Sequence, residues 1–135
     1  GHSLDGRWIL HFERTSGASK RATLEEISAY MQSQMLETAR QLLKLKAAPI
    51  VEEIGAHRII EVTFGEPHDT HDHVRRWYVI VQYTDHVRLH RITFGCRTQD
   101  LDTQPIRALT QFCRDWADDL VGIYEPVSDE TREKT

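Results

Sequence analysis

Alternation opens the chain. Over residues 7–13, Trp8, Leu10 and Phe12 fall on every second position, which is the period of a half-buried strand. Residues 15–22, small and polar around Gly17, read as a loop. The period then changes. Thr23-Leu24-Glu25-Glu26 has the form of a capping box, in which Thr and Glu side chains satisfy the amides left open at a helix start. Leu24, Ile27, Met31, Met35, Leu42 and Leu45 follow at helical spacings and predict one amphipathic helix from residue 24 to about residue 46. At 1.5 Å per residue that is about 33 Å, long enough to cross a whole sheet. Met31 and Met35 are read as packing against that sheet.

Pro49 closes the helix, and residues 50–54 and 57–64 read as strands joined at Gly55-Ala56. Residues 74–83 form the strongest strand pattern. Its Val79-Ile80-Val81 centre is apolar on both faces, so it should be covered on both sides and lie centrally in a sheet. Thr84-Asp85-His86 makes a turn, and residues 87–94 return. Along that return the apolar parity shifts from Val87 and Leu89 to Ile92 and Phe94, which predicts a bulge or twist near His90-Arg91. Asp102 or Thr103 then caps a second helix with Pro105 in its first turn and a stripe of Ile106, Leu109, Phe112, Trp116 and Leu120. Residues 125–135 are charged, lack a period and read as a frayed tail.

The order β-α-β-β-β-β-α, with short turns between the later strands, predicts an α+β sandwich. In it an antiparallel sheet of about five strands has its faces covered by two helices. With 135 residues the chain fits a single domain, of which residues 1–6 read as a tag or linker. Composition narrows the function classes. A net charge of −4 and a pI near 6.1 leave no general positive field for nucleic acid, although a local arginine patch stays open. No stretch approaches the roughly 20 apolar residues that cross a bilayer. The first residue is not Met, so the compartment is not fixed by the visible sequence. Cys96 and Cys113 allow one disulfide or none, and free thiols acting as small hydrophobes are the preferred reading.

Two clusters hold candidate chemistry. Glu66-Pro67-His68-Asp69-Thr70-His71-Asp72-His73 sits between two strands, and neutral imidazoles suit zinc, copper or nickel. His-x-x-His-x-His on a loop sets no mutual geometry, however, and no helix-borne Glu accompanies it. The stretch therefore reads as a solvated hairpin loop, with His68, His71 and His73 as a secondary metal candidate. Arg75, Arg76, Arg88 and Arg91 lie on adjacent strands, with Arg58 on a third. They either grip carboxylates or phosphates of a partner or pair with Glu52, Glu53 and Glu61 on neighbouring strands. Trp77 and Tyr78 beside them offer either partner-binding area or core. Serine-elbow, phosphate-loop, dinucleotide and CxxC motifs are missing, and Asp115, Asp118 and Asp119 read as a wet helix face. No catalytic residue and no cofactor is assigned.

Three pieces of the chain resemble the PsbP-like and DcrB-like α/β/α sandwich superfamily. They are Thr23-Leu24-Glu25-Glu26-Ile27 opening a long helix, the Gly55-Ala56-His57-Arg58-Ile59-Ile60-Glu61-Val62 hairpin, and the hairpin over residues 77–94 before a terminal helix. The resemblance implies a non-catalytic role, as in accessory lipoproteins, photosystem subunits and chaperones that hold apolar helices of secreted toxins. It transfers no site residue. The leading expectation is an accessory or chaperone-like protein that presents its sheet or a sheet edge to another protein, with Arg75, Arg76, Trp77, Arg88 and Arg91 at the contact. A homodimer through an unpaired edge over residues 7–13 belongs to the same expectation. The competing readings are a cystatin-like or NTF-like cone with a small-molecule pocket, with or without catalysis, and a metal-binding protein using the His loop.

Overall fold

The structure, a computed structural model, describes residues 1–17 and 22–124. It contains β1 (Trp8–Gly17), α1 (Leu24–Leu42), β2 (Ile50–Ile54), β3 (His57–Phe64), β4 (His73–Gln82), β5 (Val87–Cys96) and α2 (Gln104–Tyr124), with a short 3-10 turn at Thr98–Asp100. The five strands form one sheet in the order β1-β5-β4-β3-β2, every pair antiparallel. This is the expected α+β arrangement in the expected order. β4 occupies the middle, as its two-sided apolar run requires.

One helix lies on each face. Ile59, Trp77, Val79, Val81, Ile92, Phe94 and Cys96 pack with Ile106, Cys113, Ala117, Leu120 and Val121 of α2. Ile60, Val62, Tyr78, Ile80 and Val87 pack on the other face with Leu24, Ile27, Met31, Met35, Leu36 and Ala39 of α1. Val79, Ile80 and Val81 are wholly buried, and burying a side chain of this size is worth about 1.5–3 kcal/mol each. A sheet covered on both sides is a three-layer sandwich, unlike a sheet curled around a single helix.

The predicted bulge is absent. β5 pairs without interruption from Val87 to Cys96 with both β4 and β1. The shift of apolar parity has another cause: Val87 and Leu89 pack with the α1 layer, whereas Ile92 and Phe94 pack with α2. A regular pleat can change its apolar face when the two ends of the strand are covered from opposite sides.

Element ends also differ. Thr23 caps α1 through the expected capping box, its Oγ1 accepting from the Glu26 amide at 3.1 Å. The helix stops at Leu42, short of residue 46, because the chain turns extended at Leu43 and becomes a sheet margin. There Lys46 N–H donates to the Thr63 carbonyl and Gly65 N–H to that of Lys44, where β2 does not reach along β3. Leu43 packs inward and Leu42 is exposed, so Leu42 leaves the predicted stripe. β1 runs on to Gly17, through part of the predicted loop; residues 18–21 and the predicted tail at 125–135 lie outside the described residues. Residues 1–3 fold back on β1: Leu10 N–H donates to the Gly1 carbonyl at 2.7 Å and Ser3 N–H to that of Trp8 at 3.1 Å. Among the described residues no helix is long and apolar enough to cross a membrane.

Candidate functional site

Strand alternation sends neighbouring arginines to opposite faces, so the five candidate contact residues do not share a surface. Arg75, Trp77 and Arg88 lie on the α2 face, and Arg76 and Arg91 on the α1 face. Trp77 is 2% exposed and contributes its ring to the core. Arg76 is used locally. It lies over the Phe64 ring and donates to Thr93 Oγ1 at 2.9 Å and to the Tyr78 hydroxyl at 3.2 Å. Arg91 pairs across the strands with Glu13, and Arg88 sits over Tyr83. Arg58 bonds to Gln32 at 2.8 Å and pairs with Glu25, tying α1 to β3. Of the three acidic partners foreseen, Glu61 alone forms an ion pair among the described residues. It stands 3.4 Å from Arg75 and 3.7 Å from Arg114 of α2.

The histidine loop is held down at several points. Gly65, at φ 150°, opens it; a β-carbon there would run into the Asp72 carbonyl. Asp72 accepts from the Thr98 amide at 2.8 Å and from the Thr98 hydroxyl at 3.1 Å, and these bonds hold its carboxyl below the usual range. His71 bonds through Nε2 to the Gly6 carbonyl at 2.8 Å and packs over Gly95 on the α1 face. His73 starts β4 on the α2 face, where burial lowers its pKa. His68 is exposed. The three imidazoles thus point to different places, and only the outer part of the loop is solvated as expected. Among the described residues no group of three or more His, Cys, Asp and Glu is placed to hold a metal ion.

Sequence reasoning missed the aromatic ledge beside β1. Phe112 and Trp116 belong to the apolar stripe of α2 by spacing, but Cys113, Ala117 and Leu120 sit at the centre of the contact with the sheet, and Trp116 packs half-buried at its margin. Phe112 and Trp116 fall about 100° away around the helix from Cys113 and Ala117 and face the β1 side. There the Trp116 ring stacks on Phe12 at 4.7 Å and 20°, and Phe112 leans on Trp116 at 5.9 Å. Phe112 is 54% exposed and Phe12 39%. The signal was present in the sequence as a stripe on α2 wider than one helix-sheet contact needs. Beneath Phe12 lies His90, its ring 5.8 Å away and 2% exposed, with neither nitrogen hydrogen-bonded to a described residue. Burial, with Arg88 and Arg14 nearby, pushes its pKa down to about 4.

The ledge adjoins a sheet edge that is free among the described residues. Trp8 and Leu10 turn their backbone groups outward, toward residues 1–3. By alternation the N–H and C=O groups of Phe12, Arg14 and Ser16 also face outward. Past Leu10, no described residue bonds to that outer edge.

Both thiols are unpaired and buried, and burial pushes each pKa up to about 11. Neither matches a reactive cysteine, which needs a stabilised thiolate. In native buffer both should resist a charged disulfide reagent for hours and react within minutes in guanidinium; rapid labelling of the folded protein would contradict this burial. Asp115, Asp118 and Asp119 are exposed along α2, Asp115 accepting from Gln111 at 2.9 Å. No protein-family model matches the chain, and no curated protein matches its sequence.

Proposed function

We propose that the protein is a non-enzymatic binding module of the accessory or chaperone-like kind, which receives an extended segment of a partner protein along the outer edge of β1. One observation carries this reading. The outward backbone groups of Phe12, Arg14 and Ser16 lie directly beside the exposed rings of Phe12 and Phe112 and the half-buried ring of Trp116. An added strand gains backbone hydrogen bonds from the edge and specificity from pockets for alternate side chains. Here every second side chain would lie over the aromatic ledge, while the others would meet His11, Glu13 and Arg91 on the opposite face. The partner segment this favours alternates apolar and polar residues.

A second copy of the chain fits less well. Antiparallel self-pairing centred on Glu13 or on Arg14 places like charges directly opposite each other, which is destabilising. The far edge of the sheet, β2, is short and carries exposed Glu52 and Glu53, features that blunt an edge.

Titration of the labelled protein with a short peptide of alternating valine and threonine tests the proposal. The Phe12, Arg14 and Ser16 amides should shift and gain exchange protection. Phe112→Ala and Arg14→Pro should each weaken binding roughly tenfold, through lost stacking and a lost edge donor respectively. Unmoved signals along β1, or an affinity in both variants unchanged from that of the unaltered protein, would refute the assignment; dimerisation through β1 would point instead to self-association.

A further inference from the structure

On the other flank of α2, away from the aromatic ledge, three arginines meet around one cleft. Arg75 from β4 and Arg107 and Arg114 from α2 line a space of about 340 Å³, with Thr110, Gln111 and Leu101 completing its walls. The helical spacing of residues 107, 110, 111 and 114 puts them on one side of α2, and the contact of Arg114 with Glu61 shows that this side faces β3.

Two carboxylates face these three guanidiniums, and neither holds its arginine closely. Each guanidinium presents five N–H donors. Arg75 and Arg114 share Glu61, at 3.4 and 3.7 Å, and Arg107 reaches Asp102 at 3.4 Å. These separations exceed the 2.7–2.9 Å of a strong charge-assisted hydrogen bond. The buried Nε of Arg75 is the atom 3.4 Å from Glu61, and it makes no hydrogen bond there or to any other described residue. In a chain of net charge −4, a local excess of under-used guanidinium groups needs an explanation that general charge balance does not supply.

We propose that Arg75, Arg107 and Arg114 form a binding site for a small oxyanion, a phosphate ester or a carboxylate, in the cleft between α2 and the β3–β4 side of the sheet. The planar forks match either anion in bidentate fashion, and Leu101 offers an apolar wall for a short organic body. Glu61 stands at the same arginines as an internal competitor, in the position of the carboxylate a ligand would bring. This site is separate from the β1 edge, and its test does not depend on that proposal.

The experiment follows backbone amide shifts of the full chain during titration with inorganic phosphate and, separately, with succinate, chloride holding the ionic strength constant. Saturable shifts at Arg75, Thr110, Gln111 and Arg114 are expected at roughly millimolar anion, and the anion that saturates first identifies the preferred class. Arg107→Gln/Arg114→Gln alters two exposed side chains and should weaken binding at least about tenfold. Glu61→Gln removes the competitor and should tighten it by about three- to tenfold. A purely structural role for Glu61 would not produce that gain. Shifts that stay linear with both anions, curves unchanged in the double variant, or a Glu61→Gln protein that binds no tighter would each overturn the proposal.

Discussion

Replacing Trp77 with alanine should cost about 3–5 kcal/mol of folding stability, a large share of the roughly 5–15 kcal/mol typical of a domain. Trp77 sits on the central strand, cross-strand from Glu61 and Ile92, and packs into the α2 layer at 2% exposure. The loss has two parts: the transfer energy of the ring, and the cavity that helix and sheet close only partly. Phe112→Ala is the matched control. Its ring is 54% exposed, and truncation should change stability by no more than about 1 kcal/mol. Guanidinium unfolding of the two variants separates an aromatic that holds the fold from one free to meet a partner. Equal losses would mean that the ledge is core and that the β1 site has no aromatic wall.

Acid should destabilise the protein well above the range where carboxylates titrate, and His90 should account for much of it. Its folded pKa is depressed to about 4 from an ordinary 6.5 by burial first, then by Arg88 and Arg14. Between these two values the unfolded chain binds a proton that the native state refuses. Stability therefore falls as pH drops from about 6.5 towards 4, and this group adds no further loss below that. A shift of this size is worth about 3 kcal/mol in full, and about 2–3 kcal/mol at pH 4.5. His73, also lowered by burial, acts in the same direction. Asp72, whose carboxyl is held low, loses its contribution only below its ordinary value of 3.8, in a separate and more acidic window. Urea unfolding at pH 7 and at pH 4.5 should show a drop about 2–3 kcal/mol smaller in His90→Leu than in the unaltered protein. An identical drop in both would remove His90 from the account.

Several features of the site could have been read earlier from alternation alone. Arg75 and Arg76 are consecutive strand residues, so one surface could never have held both. The bulge expected near His90-Arg91 came from assuming that one face of the strand is buried along its whole length. That assumption fails when α1 covers one end of β5 and α2 the other. The arginine cleft had no local signal, since Arg107 and Arg114 look like ordinary wet positions until β3 and β4 bring Glu61 and Arg75 beside them.

The type and order of the elements, the Thr23 cap and the central place of β4 were all determined by the sequence on its own. Each depends on residues a few positions apart, whose periods and hydrogen-bonding side chains act locally. Which face each helix covers, that Phe112 stays outside while Cys113 goes in, and which strands form the sheet's two edges were decided only by the tertiary structure. Those outcomes depend on where an entire helix settles across the sheet, and contacts between distant segments set that position.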